Sequence, residues 1–337
     1  MWFKNLRLYC LNQAFSLSQE ELEKQLAEFH FAPCSSYEKS RMGWVPPIPQ
    51  SAAAQTGEVL EGGEAVEAGD TDESGAETIT EDHGPLLTHV VGDYIMLCAQ
   101  TQDRLLPASV VREATEEKVA ELEERQARKI YRKEKKQIQE DMFAQLLPRA
   151  FTRNQRTYAY LAPKDNLLVV DAASAPKAEE FVNLLRDTLG SFPVSLPDSV
   201  RSPADVMTHW LRKHKATDNF FLEEDCELYN PLDGSNVVRC KGQDLESEEI
   251  SAHLEAGKQV KSLGVSWNSL LSCIIHDDLS IKRLRFEEMR EESDSFAEES
   301  AAQKFDQEFA LMSMELSNFF KALFTAFGGL APPKSKD

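Results

Sequence analysis

The sequence predicts an α+β fold with mixed, largely antiparallel sheets, on three observations. Short apolar or alternating runs recur along the chain, as at Leu86–Ala99, Thr157–Leu161 and Leu167–Asp171, each of strand length. Helices are marked one by one by their caps rather than in regular alternation with strands. Neighbouring strand runs such as Ser269–Ile275 and Leu279–Phe286 are joined by Asp277-Asp278, a connection that suits a hairpin and is too short for a parallel crossover. With 337 residues, 42% of them hydrophobic and 18 phenylalanines, the chain can fill a core of about two domains, which excludes wholesale disorder. No internal repeat stands out.

Trp2–Phe15 opens as a strand with Phe3, Leu6, Leu8 and Cys10 available for burial. Ser18-Gln-Glu-Glu21 is a capping box starting a helix over Glu20–Phe29, with Leu22, Leu26 and Phe29 as its buried stripe. Met42-Gly-Trp-Val-Pro-Pro47 is a short strand stopped by prolines, and Leu86–Ala99 supplies further strands. After the paired strands Thr157–Leu161 and Leu167–Asp171, Ser174-Ala-Pro-Lys177 starts a helix over Ala178–Leu189 that Gly190 ends. A short strand at Phe192–Leu196 and a helix at Pro203–Lys213 follow. Strands at Phe220–Leu228 and Asn236–Cys240, a helix at Ser247–Ala256 and a strand at Lys258–Trp267 precede the hairpin. The last element is a helix over Phe305–Phe327, stopped by Gly328-Gly329.

Charge is distributed unevenly. The formal net charge is −20, yet seven of the twelve residues from Arg125 to Lys136 are basic (Arg125, Arg128, Lys129, Arg132, Lys133, Lys135, Lys136) and only Glu134 opposes them. Val110–Glu124 before them holds six glutamates against Arg112 and Lys118. Acid first and base last suits one long helix, because the macrodipole favours that order. Past Pro148, Arg149, Arg153 and Arg156 interleave with Phe151, Tyr158 and Tyr160, and no acid intervenes. A solvated helix face is the plain reading of such charges. Their continuation beyond the helix favours a polyanion, with phosphates contacted by Arg125, Arg128, Lys129, Arg132, Lys133, Lys136, Arg149, Arg153 and Arg156. Phe151, flanked by polar and basic residues apart from Ala150, is expected to be exposed.

Gln50–Pro85 holds ten acids and no Lys or Arg; its composition predicts a disordered acidic insertion. The expected organisation is an N-terminal α+β region over 1–105, a long charged helical arm over 106–150, and α+β regions over 151–200 and 201–337. No run of apolar residues approaches membrane-spanning length and the start lacks a cleavable leader pattern, so a cytoplasmic protein is expected. The six cysteines are scattered without a CxxC pair, which suits reduced, buried thiols.

Several strings, in order along the chain, resemble one bacterial family: MWFKNLRLYCL, KQLAEFHFAPC, MGWVPP, LTHVVGDYIMLCA, LLPRAFTR, VVDAASAPKAEE, LLRDTLGS, DLESEEISAHLEAGKQV and FDQEFALMSMEL. These look like the recombination-associated protein RdgC family, nearly end to end; the acidic insertion is the departure. The resemblance implies a non-enzymatic, nucleoid-associated protein that binds double-stranded DNA, and single-stranded DNA more weakly, with little sequence preference. It implies a horseshoe-shaped subunit, a homodimer closing a ring around DNA, and functional antagonism of RecA. By the same resemblance Phe151 lies at one subunit contact and Gln243 and Lys258 at a second, gate-side one. Gly242 stands where a member of the family carries another lysine, with Lys241 beside it.

No cofactor or metal is expected. The sequence has no phosphate-binding loop, and its seven histidines show no HExxH-like pair. Asp277-Asp278 could serve a metal-dependent nuclease but reads as a hairpin corner; this and a protein-interaction scaffold gripping an acidic partner are the rival readings.

Overall fold

The computed structural model describes residues 2–48, 85–217, 219–287 and 301–331. Most of the expected acidic insertion therefore lies outside the described residues. The expected α+β architecture is present, with seven α-helices among the described residues and a twelve-stranded sheet whose pairings between strands are all antiparallel.

The first half of the sheet is built from β1 (Leu6–Leu11), β2 (Ser40–Val45), β3 (Thr88–Val91), β4 (Tyr94–Leu105), β5 (Phe151–Ala162), β6 (Leu167–Asp171) and β7 (Val194–Ser195). The second half holds β8 (Phe220–Tyr229), β9 (Val237–Cys240), β10 (Gln259–Trp267), β11 (Leu271–His276) and β12 (Ile281–Phe286). Their order is β2-β4-β5-β6-β1-β12-β11-β10-β8-β9, with β3 added to β4 and β7 to β1. The halves meet where β1 runs beside β12 at Leu6 and Ile281.

Side-chain alternation distributes the strands between two cores. Leu6 and Leu8 of β1, Tyr160 of β5 and Val169 of β6 join one core. Tyr9, Leu11, Leu161 and Val170 join the core on the opposite face. The second core is closed by α1 (Gln19–Glu28) and α4 (Ala175–Leu189). Helices α5 (Pro203–Lys213), α6 (Glu248–Glu255) and α7 (Ala301–Ala326) close the first, α7 contributing Phe309, Met312, Leu316, Phe319 and Leu323. The Ser18–Glu21 capping box forms as read, and Gly190 ends α4 in the left-handed region at φ 67°. Trp44 is fully buried, its Nε1 donating to Thr188 Oγ1 at 2.8 Å. Gly43 beside it is required by close approach, since a Cβ there would stand 2.5 Å from Phe31 Cα.

Two expectations are corrected. The single long helix across Arg125–Lys136 is instead a hairpin of α2 (Ala108–Gln126) and α3 (Arg132–Leu146). Ala127 turns left-handed at φ 48° and caps α2 through its N–H on Glu124 O. The Ile130 N–H donates to Glu123 Oε1 at 2.7 Å, and the Arg128 guanidinium bonds both Glu134 oxygens at 2.8 and 3.1 Å. A continuous helix would stack Arg125, Arg128, Lys129, Arg132, Lys133 and Lys136 at repulsive i,i+3 and i,i+4 spacings; the turn sets base against acid. Second, the strand expected at Thr157–Leu161 begins six residues earlier, at Phe151. The added residues are all exposed and polar apart from Phe151, so they show no hydrophobic alternation. Their register comes from β4, where Arg156 faces Gln100 and Phe151 faces Leu105.

Candidate nucleic-acid interface

All nine cations expected at phosphates are exposed. They fall into two groups. Arg125, Arg128, Lys129, Arg132, Lys133 and Lys136 surround the α2–α3 turn, whereas Arg149, Arg153 and Arg156 sit where the arm joins the sheet. The ten residues of α3 beyond Lys136 separate them, about 15 Å at the usual helical rise. Not every charge is open: Arg128 pairs with Glu134, and Lys136 reaches Glu140 at 3.6 Å. No ion pair joins Arg125, Lys129, Arg132 or Lys133 to a described acid.

Strand alternation also divides the base group. Arg156 shares its face with Asn154 and Tyr158; its Nε lies 3.4 Å from Gln100 Oε1, and Asn154 accepts from Gln102 at 2.9 Å. Arg153 points to the other face, towards α4, where the burial of Lys177 and, less, the Arg153 charge lower the Lys177 pKa against the opposing pull of Asp171, Glu180 and Asp103.

Here the structure adds cations that sequence reasoning missed. Asp171 accepts from the Lys4 and Asn5 N–H groups at 3.2 and 2.9 Å; burial raises its pKa, and these bonds with the nearby Lys177 and Lys4 charges work the other way. Lys4 and Asn5 then line a cleft of about 560 Å³ with Arg283 and Arg285. Arg153, Lys177 on α4, Lys4 and Arg285 thus follow one another as a track on the side of the sheet that α4 covers, with Asp103, Asp171 and Glu180 among them. Beyond it the face is charge-balanced, with Arg7 on Asp278, Arg283 on Asp225, and Arg239 and Lys261 on Glu227. Arg283 takes φ 52° at a register slip in β12, a conformation costly for a residue with a Cβ. The readable signal was Ile281-Lys-Arg-Leu-Arg-Phe286, whose buried Ile281, Leu284 and Phe286 leave two arginines on the open face.

Arg104 is a second missed residue. Its guanidinium reaches the carbonyls of Cys34, Ser35, Leu147 and Pro148 at 3.2 to 3.5 Å, tying the end of β4 to the arm's base.

Phe151 is 85% exposed beside exposed Leu105. On the side of β5 away from β4, β6 pairs only with Ala159–Ala162, so Phe151–Tyr158 presents an edge that no described strand covers. Gln243 is half-buried: its N–H donates to Glu224 O at 3.1 Å and its Nε2 to Glu249 Oε2 at 3.0 Å. Lys258 is only 8% exposed, with Nζ donating to Asn236 O and Oδ1 at 3.2 and 2.6 Å. Its charge is engaged within the subunit, and its structural role is to hold the turn before β9.

At the hairpin corner, Asp278 Oδ1 accepts from the Ser280 N–H and hydroxyl, and Oδ2 from Arg7 at 2.6 Å. Both carboxylate oxygens are engaged. Among the described residues no three His, Cys, Asp or Glu side chains are grouped to hold a metal, and no helix is long and apolar enough to cross a membrane.

Among the described residues the open cations stand on the helical arm and on one face of the sheet. A family profile described as "Putative exonuclease, RdgC" matches residues 1–62 and 63–330. The chain is 39% identical over 331 residues to the recombination-associated protein RdgC of Aeromonas hydrophila, covering 98% of both chains. It is 38% identical over 336 residues to that of Pseudomonas aeruginosa PAO1, covering 99% of both. With the protein of that name from Yersinia enterocolitica it shares 36% identity over 333 residues, 98% of this chain and 99% of the relative. The chain belongs to the RdgC family of recombination-associated proteins.

Proposed function

We propose that this protein binds DNA without a base code, double-stranded in preference to single-stranded, and restrains RecA-mediated recombination by occupying it. The observation that carries the reading is the placement of exposed cations on the arm and of exposed Arg153, Lys4 and Arg285 with half-buried Lys177 on the sheet-face track, in a chain whose net charge is −20. Separated, solvent-facing Lys and Arg suit phosphates spaced along a backbone and release of condensed counterions. The acidic segments, kept away from DNA by repulsion, would discourage binding elsewhere on the surface.

In the same reading the protein is a homodimer that closes a ring around the duplex. Phe151 and the uncovered β5 edge support one subunit contact, since an open edge and an exposed aromatic are both poor surfaces to leave in water. Gln243 is proposed at the second contact, with Lys258 supporting it from within. The word exonuclease in the family description motivates a second reading, but the engaged Asp278 carboxylate supports a non-catalytic one. The two are tested by incubating end-labelled linear duplex with the protein and Mg²⁺. Retarded but intact DNA is expected; progressive loss of the end label would favour the nuclease.

A further inference from the structure

We propose that Cys226 and Cys240 form a reversible dithiol–disulfide pair that fastens the edge strand β9 to β8. The two residues are directly opposite each other in the β8–β9 register. Both face the same core, near enough for Cys240 to add to the burial that raises the Cys226 pKa. Directly opposed antiparallel residues have Cα atoms roughly 4.5 or 5.5 Å apart according to the kind of pair. Both spacings lie within the roughly 4.4–6.8 Å that a disulfide spans. Cys98 faces Tyr158 and Cys273 faces Val265, so neither has a cysteine across its strand. No described strand other than β8 pairs with β9, which leaves it free to adjust as a bond forms.

The order of events follows from the surroundings. Burial and the neighbouring Cys240 both raise the Cys226 pKa. Cys240 is buried too but lies on the edge strand and is the less enclosed of the two, 8% exposed against 4%, so a small hydroperoxide meets it first. Its thiolate attacks a peroxide oxygen; the O–O bond breaks, hydroxide leaves and takes up a proton as water, and Cys240 becomes a sulfenic acid. The Cys226 sulfur then displaces that hydroxyl: the S–S bond forms, the S–O bond breaks, and the thiol proton leaves with the hydroxide as a second water. Two thiols lose two electrons to one hydrogen peroxide, and two waters result. A dithiol reductant reverses the step by exchange.

The bond would act on the surface next to it. Directly after Cys240, Gly242 donates its N–H to Asp225 Oδ1 at 3.1 Å and Gln243 donates its N–H to Glu224 O. This turn is docked on the stretch of β8 that ends at Cys226, so a covalent β8–β9 link would hold Gln243 in one position. The inference does not depend on what the protein binds.

Hydrogen peroxide is added to the folded full-length protein, remaining thiols are blocked with N-ethylmaleimide, and tryptic peptides are weighed. Cleavage after Lys215, Arg239 and Lys241 separates the cysteines into 216–239 and Cys240-Lys241. The expected product is those two peptides joined, lighter than their sum by two hydrogens and released by dithiothreitol. In Cys226→Ser, Cys240 should instead accumulate as a sulfenic acid captured by dimedone. Recovery of both wild-type cysteines as maleimide adducts after oxidation, or of Cys240 as sulfinic acid with Cys226 still a thiol, would overturn the proposal. The wild-type map gives this answer whether or not the variant folds.

Discussion

Arg128 and Glu134 close the α2–α3 turn through two hydrogen bonds, 2.8 and 3.1 Å long, and so hold the tip of the arm in a bend instead of one rod. Both side chains are about half exposed, a setting in which an ion pair contributes little to stability. Removing the Glu134 charge should therefore cost little fold and leave Arg128 open to phosphate. Glu134→Gln is expected to leave the thermal midpoint nearly unchanged and to tighten DNA binding, read by fluorescence anisotropy. Weaker binding would mean that the bend itself is part of the site.

The sheet-face track predicts a separable contribution. Lys177→Glu combined with Arg285→Glu should weaken duplex binding by a similar factor for unrelated sequences and make the dependence of log K on log[salt] shallower. Neither residue is fully buried, so circular dichroism should stay unchanged. Unaltered affinity in the double variant would confine binding to the arm.

Phe151 is expected to matter to assembly and not to the subunit. Truncating an exposed interface aromatic commonly costs about 2 kcal/mol or more of association. Phe151→Ala should then shift the dimer towards monomer in sedimentation equilibrium by about thirtyfold, with thermal unfolding at matched monomer concentration little changed. A collapse of the fold on this substitution would place Phe151 in a core, against its exposure.

Arg104 should behave oppositely. Its loss strands the carbonyl of buried Cys34 and leaves that of buried Leu147 with the Ala150 N–H alone, and a hydrogen bond to a charged group is worth about 1.5–3 kcal/mol. Arg104→Ala is expected to lower stability by about 1–3 kcal/mol in urea unfolding, with proteolysis starting at the arm's base. An unchanged urea midpoint would show that those contacts are not maintained in solution.

His276 predicts acid sensitivity. Burial and the nearby Lys282 lower its folded pKa to about 4 from the ordinary 6.5, against opposing pulls from Asp278 and Glu227. Between those values the unfolded chain binds the proton and the folded one does not, so stability is full above about 6.5 and falls as pH drops towards 4. His276→Gln should flatten that part of the urea-midpoint profile; an equally steep fall would assign the loss elsewhere.

How much of this was legible depends on whether the signal is local. The Ser18–Glu21 box and Gly190 each act within one turn, and α1 and α4 begin or end within a few residues of where these place them. The Asp277-Asp278 corner likewise announces its hairpin. The bend at Ala127 carries no glycine or proline; it is set by Glu123 and Glu134 reaching across it. The outer half of β5 is invisible to hydrophobic period because neither face is buried, and its register is fixed from β4. The track was illegible for a third reason. Lys4, Arg153, Lys177 and Arg285 stand far apart in sequence, and the folded sheet brings them to one face. The burial of Lys258 was equally illegible, because nothing in its neighbours announces the Asn236 turn that holds its ammonium.

The central claim, that DNA is held by phosphates alone, is tested most directly by titrating two duplexes of unrelated sequence with the full-length protein over a series of salt concentrations. With about six phosphates contacted, log K should fall against log[salt] with a slope near −5, and the two sequences should give superimposable lines. No binding at low salt, or tight binding confined to one sequence and insensitive to salt, would contradict the account.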